Sequence, residues 1–367
     1  MRNGLFNLLV FTALLLGLPL LGISLAGHPS VGSYLAFPPL TRQVPPAPFS
    51  WSAFVPLALI SAVLLVLVGA AAIPREPAAE RQHGPSRPFP GWGWLGLLLL
   101  ALSWTLAWGR FPWFAELQAH SFTPLWLAYI LVVNALCYRR AGRCLLVNRP
   151  GLFLALFPFS AVFWWYFEYL NRFVQNWNYV GVADFTGWQY AFFATLNFTT
   201  VLPAVVGTTE WLASHPRLNH SRSILPPIHL RRPKAAAWGV LAVAVAALGG
   251  IGVWPDYLHP FLWVSPLLII LALEVLVHEK SYLSPLTQGD WRPIYLPALA
   301  ALICGFFWEM WNNWSLAKWE YSVPFMHRFQ IFEMPLLGYA GYLPFGLVCV
   351  VIAGQIARLG KERQWIV

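Results

Sequence analysis

The sequence predicts an all-α polytopic membrane protein with ten transmembrane helices, arranged as an N-terminal helical hairpin and two parallel four-helix repeats. Three observations predict it. The 367 residues are 58% hydrophobic and only 10% charged, with mean hydropathy +0.59, whereas soluble domains carry roughly a quarter charged residues. Ten apolar runs are long enough, or nearly so, to cross a bilayer, which takes roughly 20 residues. Several aromatic and polar features also recur at one fixed offset of 141 residues.

The runs follow in order. Leu5–Ala26 and Trp51–Ile73 form the hairpin, which with the Pro-rich connector Pro74–Pro90 makes a first unit of residues 1–90. Trp92–Trp108, Phe122–Tyr138, Leu152–Leu170 and Tyr190–Leu212 make the first repeat, residues 91–230. Ala235–Trp254, Phe261–Val277, Ile294–Trp311 and Met334–Ile356 make the second, residues 231–367. Arg2 precedes the first run, and Ser24-Leu25-Ala26 has the small residues of a signal-peptide cleavage site. That run is longer than a signal core of roughly 7–15 residues, so it is read as a retained helix.

Charge sets the orientation. With the N-terminus inside, 18 of the 23 Lys and Arg fall in inside segments; Arg42, Arg110, Arg172, Lys318 and Arg328 fall outside. Positive charge collects on the cytoplasmic side of membrane proteins, so both termini are placed in the cytoplasm. The net charge of +9 is therefore a topology signal and not a nucleic-acid surface. The excess of Arg over Lys fits a bacterial chain of high GC content; the expected location is the bacterial cytoplasmic (inner) membrane.

Cys137 and Cys144 flank a basic connector, and Cys304 and Cys349 lie inside apolar runs, so neither disulfides nor a metal centre are expected. His215, His220 and His229 share a basic loop without metal-ligand spacing. No glycine loop for phosphate, nucleophile elbow or His-Glu metal motif is present, and no cofactor is expected.

The repeat carries the candidate site. "FWWYFEYLNRFVQNWNY" (163–179) is answered by "FFWEMWNNWSLAKWEYS" (306–322). Glu168 matches Glu309 and Asn171 matches Asn312; Trp177-Asn178-Tyr179 matches Trp319-Glu320-Tyr321 with one residue inserted. Trp113 and Trp254, and Leu202-Pro203 and Leu343-Pro344, repeat the same offset. An even number of spans per unit makes the repeats parallel, related by a pseudo-two-fold axis along the membrane normal.

Residues i and i+3 share a helix face, so each unit sets a carboxylate beside an amide at its outer end. The rings alone would make an aromatic belt at the headgroup level, and the polar groups could form a structural cluster between the units. A site is the third reading. A carboxylic acid enclosed by rings is stripped of water, which suits it to deliver a proton, and ring faces shelter a cation. Glu309, Glu333 and Glu168 are then the acid–base candidates. Asn312, Asn171, Trp308, Trp311, Trp319, Tyr321, Trp177 and Tyr179 are the binding candidates. The second repeat is the richer in charge. Its "FEMPLLGYAGYLPFG" (332–346) is expected to start a helix at Glu333, to approach neighbours closely at Gly338 and Gly341, and to kink at Pro344 as the first repeat does at Pro203. Glu210, Glu274 and Asn134 lie near inner helix ends and are read as caps or snorkelling groups, with a weaker inner site between Glu274 and Asn134.

Glu168…Trp177-Asn178-Tyr179, Glu309…Trp319-Glu320-Tyr321 and Phe332-Glu333-Met334-Pro335 together resemble the membrane-embedded lycopene cyclase domain of bacteria, archaea and fungi. That family has an acid near a helix end, a Trp-x-Tyr about ten residues on, and a helix start containing Pro and Glu. Where the family pairs two glutamates, this chain has Glu333 alone, with Phe192 at the matching place in the first repeat, and its acid is Glu in place of Asp. The resemblance implies a duplicated helical unit and an isoprenoid-like ligand.

Three functions follow as expectations. The first is an enzyme or lipid-handling protein acting on a membrane lipid or isoprenoid-like substrate at the extracytoplasmic interface by acid–base chemistry. The second is a small-molecule or lipid transporter or flippase, although mid-span ionisable residues are scarce. The third is a non-catalytic subunit with a membrane-protein partner.

Overall fold

The computed structural model describes residues 2–28, 31–38, 43–75, 87–277 and 281–360, with side chains from residue 12 onward. Arg42, Arg81, Lys280, Lys361 and Arg363, the side chain of Arg2 and the middle of the Pro-rich connector lie outside the described residues. The described chain is mostly helical. Its helices are α1 (Arg2–Leu25), α2 (Trp51–Ala71), α3 (Gly91–Gly109), α4 (Phe122–Ala141), α5 (Leu145–Asn148), α6 (Pro150–Val174) and α7 (Gly187–Phe198). They continue with α8 (Val201–Ala213), α9 (Pro233–Gly250), α10 (Pro255–Leu258), α11 (Phe261–Leu276), α12 (Arg292–Trp314) and α13 (Tyr342–Leu359). Four short strands are β1 (Trp177–Val180), β2 (Lys318–Tyr321), β3 (Gln330–Ile331) and β4 (Met334–Pro335).

Among the described residues, eight helical segments are long and apolar enough to cross a membrane, counting α7 with α8 and Leu336–Gly341 with α13 as single segments. Two shorter apolar helices, Thr12–Leu25 and Phe261–Leu276, fall on the other two predicted runs. The chain is a multi-pass helical membrane protein.

Two predicted runs are not continuous α-helices. Tyr190–Leu212 breaks at Thr199-Thr200 between α7 and α8. The break is stabilised from another helix: the Ser160 hydroxyl on α6 donates to the Phe198 carbonyl (2.6 Å) and accepts from the Leu202 N–H (3.0 Å). A buried backbone needs such partners. In Met334–Ile356, residues 334–335 pair with β3, and Leu336–Gly341 is a 3-10 turn before α13. Glu333 therefore sits in a tight hairpin turn and not at a helix start. Pro203 and Pro344 lie in the first turns of α8 and α13, where a missing N–H removes no helical bond. They mark helix starts and do not kink. Pro297, inside α12, does free the carbonyl of Pro293, and the Tyr282 hydroxyl donates to it at 2.9 Å.

Packing pairs α3 with α4 and α9 with α11; α6 lies against α8, and α12 against α13. Helix α8 also touches α12 and α13, joining the two halves of the chain. The N-terminal helices follow each other in sequence but bind different partners. α1 runs along α9, while α2 leans on α12 and the 3-10 turn. The expected N-terminal hairpin is thus opened out, because α1 and α2 pack on different elements of the second half. Close approach comes not from Gly338, which packs on the Met334 side chain, nor from Gly341, which faces open space. It comes from Gly346 on α13, set against the Pro297 carbonyl of α12, and from Gly22 on α1, set against Gly249 of α9.

Candidate functional site

The connectors that follow α6 and α12 meet each other. Strands β1 and β2 pair antiparallel with Trp177 opposite Tyr321, Asn178 opposite Glu320, Tyr179 opposite Trp319 and Val180 opposite Lys318. The Ser322 N–H extends the contact to the Asn176 carbonyl at 2.7 Å. The two Trp-x-Tyr elements therefore face one another.

Each strand is tied to its own helix by the predicted asparagine. Asn312 donates to the Trp319 carbonyl and accepts from the Trp319 N–H, both at 2.8 Å. Asn171 donates to the Trp177 carbonyl (2.8 Å) and accepts from the N–H groups of Asn176 (2.8 Å) and Trp177 (3.3 Å). Both asparagines are buried, and neither lines the cavity described below. They position the strand and are not available to orient a ligand.

The glutamates hold the rings. One carboxyl oxygen of Glu168 accepts from Trp164 Nε1 (3.0 Å), Trp177 Nε1 (3.0 Å) and the Tyr179 hydroxyl (2.6 Å). One oxygen of Glu309 accepts from the hydroxyls of Tyr321 (2.8 Å) and Tyr342 (2.6 Å). Trp319 Nε1 donates to the Tyr321 oxygen (2.9 Å) and not to the glutamate. The second oxygen of Glu309, Oε2, is buried without a partner among the described residues.

The donors differ for a reason visible in the sequence. At the 141 offset, Trp164 corresponds to Gly305 and Val201 to Tyr342. A Cβ at Gly305 would lie 2.5 Å from the Tyr342 ring, so that ring occupies the space above Gly305. A large and a small residue have exchanged places, and each glutamate keeps an extra donor. Gly305→Ala is expected to displace Tyr342 and lower stability by about 1–3 kcal/mol. In a Tyr342→Val background the same change should cost little, since the clash is gone. Thermal denaturation of the four proteins in detergent checks this; an equal cost in both backgrounds would refute the exchange.

The rings bound a cavity of about 340 Å3, within the roughly 300–1,000 Å3 of small-molecule sites. Trp164, Trp177 and Tyr179 line it from one half, and Trp308, Trp319, Tyr321 and Tyr342 from the other. Trp263 stacks on Trp177 with ring centres 5.6 Å apart, and Trp308 lies nearly parallel to Tyr342 at 6.0 Å. Leu57, Ile60 and Leu64 of α2 form a further wall. Glu168 and Glu309 stand behind these rings and do not line the cavity. Trp164, Trp177, Tyr179, Tyr321 and Tyr342 turn their polar ends toward the carboxyls, so that their rings bound the cavity.

The other predicted residues separate. Glu333 pairs with Lys318, which also lies 3.8 Å from Glu320, so Glu333 is an ion-pair partner half-buried at the cavity's edge. Trp311 is fully buried among Trp104, Trp126 and Phe307, away from the cavity. Trp113 and Trp254 are exposed, as belt residues would be. Glu210 and Asn134 cap α5, accepting from the N–H groups of Leu145 (2.8 Å) and Leu146 (3.1 Å). Glu274 accepts from the Tyr282 N–H (2.9 Å) and from Gln355 (3.0 Å). Asn134 and Glu274 thus support separate connectors.

Sequence reasoning missed Tyr342, Trp164, Trp263, His259 and Asn176 as parts of the site. Only the Trp164–Gly305 exchange left a readable signal. The chain matches no family model, no curated protein and no solved structure.

Proposed function

We propose that this chain is a ten-span protein of the bacterial cytoplasmic membrane, built from two parallel four-helix repeats, whose inter-repeat cavity binds a lipid or isoprenoid-like chain near the extracytoplasmic interface. The register of β1 and β2 supports the duplication. Trp177 matches Trp319 and Tyr179 matches Tyr321, so the pairs Trp177–Tyr321 and Tyr179–Trp319 interchange under a two-fold axis through Asn178–Glu320. A self-complementary contact of this kind is what a two-fold relation requires.

One observation carries the functional reading: a cavity walled by ring faces from both halves, with the hydroxyls of Tyr321 and Tyr342 turned away to a single carboxyl. Apolar and aromatic walls favour an apolar ligand and shelter a developing cation. Glu309 is the acid–base group, acting through the two tyrosines. The relay requires a tyrosine hydroxyl to swing from the carboxyl into the cavity, where it gives a proton to the ligand or takes one, and Glu309 supplies or receives that proton when the hydroxyl returns. Its unpartnered oxygen leaves room for that proton. Glu168, whose bonded oxygen accepts three donors, holds rings in place.

The purified protein is expected to retain a lipid identifiable by mass spectrometry. Membranes carrying Glu309→Gln, which keeps shape and loses the proton, should show an altered isoprenoid or lipid profile. An unchanged profile with a normally folded variant would remove the acid–base role, and a preparation free of any retained lipid would count against the binding reading.

A further inference from the structure

We propose that the cavity recognises the polar end of its ligand as an uncharged hydroxyl, so that the ligand is a lipid alcohol whose O–H donates to Nε2 of His259. The proposal rests on the lipid-binding reading above and deepens it.

His259 lies between α10 and α11, is 4% exposed and lines the cavity. Its Nδ1 stands 3.1 Å from the Asp256 carbonyl. A carbonyl oxygen only accepts, so Nδ1 carries the hydrogen. Burial pushes the imidazole below its ordinary range, outweighing the opposing pull of Asp256, and so favours the neutral ring. Nε2 is then a bare acceptor, and it is buried with no partner among the described residues. A buried unpaired acceptor is costly and uncommon in folded proteins.

Two further unpartnered groups line the same cavity. Asn176 is 4% exposed, and its side-chain oxygen has no hydrogen-bond partner; the Tyr190 hydroxyl has none either. His259 and Asn176 are joined through a ring pair. Trp263, one helical turn beyond His259, stacks on Trp177, the residue after Asn176. The polar groups therefore flank a stacked aromatic wall, as the head and tail of an amphipathic ligand require.

The charge of the lining selects among head groups. Lys318 is the only Lys or Arg among the described lining residues, and it is engaged by Glu333 and Glu320. A phosphate or carboxylate would find no free cation there and would meet the lone pair of His259. No Asp or Glu is among the described lining residues, so an ammonium group would have no direct counter-charge. A hydroxyl suits both conditions, since it donates to Nε2 and can accept from the Tyr190 hydroxyl.

The test is equilibrium binding of tritiated geranylgeraniol and oleyl alcohol to the detergent-solubilised full chain, with each alcohol's methyl ether and monophosphate as competitors. The ethers keep the chain and lose the donor. They are expected to compete about tenfold more weakly than the alcohols, the effect of one buried acceptor left unpaired. His259→Phe should bring alcohol and ether to equal affinity, while His259→Gln, which keeps an acceptor, should restore part of the preference. Should His259→Phe fail to fold, the preference of the unaltered protein decides alone. Equal competition by the ethers, or tighter binding of the monophosphates, would overturn the hydroxyl proposal and leave the lipid cavity standing. An absence of saturable binding for both alcohols would overturn the cavity reading and this proposal together.

Discussion

Glu168→Leu is expected to prevent the protein from surviving detergent extraction as a monodisperse species. The change removes one acceptor and strands three donors, the ring N–H groups of Trp164 and Trp177 and the Tyr179 hydroxyl. Glu168 is 2% exposed, so water cannot replace it. Each buried donor left unpaired costs about 1–3 kcal/mol. Because the three share one oxygen their costs do not simply add, and a total of about 3–6 kcal/mol is expected. That is a large part of the roughly 5–15 kcal/mol that separates folded from unfolded domains. Glu168→Gln keeps a carbonyl oxygen in place and should extract almost normally. The comparison therefore separates the acceptor from the charge. Size-exclusion chromatography after a heating series reads it out; a Leu variant that melts with the unaltered protein would show that the carboxyl does not hold these rings.

The same glutamates show how far the sequence could be read. Apolar runs located the helices because lipid demands length and hydropathy, and both are local properties. The 141-residue offset found Glu168 with Glu309 and Asn171 with Asn312, since i and i+3 share a helix face whatever surrounds them. The direction of those side chains was not legible. It depends on where the following connector folds back, and the asparagines and glutamates turned out to grip that connector. The cross-pairing of β1 with β2 joins residues more than 130 apart, and nothing in either strand names its partner. The break at Thr199-Thr200 was equally hidden, because the group that stabilises it is Ser160, on a different helix. His259 belongs to no motif or spacing in the sequence. Its importance lies in which nitrogen faces a carbonyl, a fact of three-dimensional placement.

The two glutamates also differ in the donors they hold. In the first half Trp164, Trp177 and Tyr179 all converge on one oxygen of Glu168. In the second, Gly305 removes one indole, Trp319 donates to Tyr321, and Glu309 is left with two hydroxyl donors and a free oxygen. The Trp164–Gly305 and Val201–Tyr342 differences thus give the two glutamates different donors.

Gly346→Ala is expected to damage both stability and ligand retention, because Gly346 sets the distance between the two helices that carry Glu309 and Tyr342. A Cβ there would lie 2.0 Å from the Pro297 carbonyl oxygen, 2.6 Å from its carbon and 2.8 Å from the Ala301 methyl. Two of these three atoms are backbone, so no rotamer change relieves the overlap, and α12 must move away from α13. Overpacking of this kind costs about 1–3 kcal/mol, and more where backbone must shift. The movement acts directly on the site, since the 2.6 Å bond between Tyr342 and Glu309 spans the same two helices. Loss of retained lipid should therefore accompany the loss of stability. Gly341→Ala is the matched control, because a Cβ at Gly341 meets nothing within 4 Å; it should melt with the unaltered protein. If Gly346→Ala instead melts with it and keeps its lipid, the α12–α13 contact does not define the cavity wall.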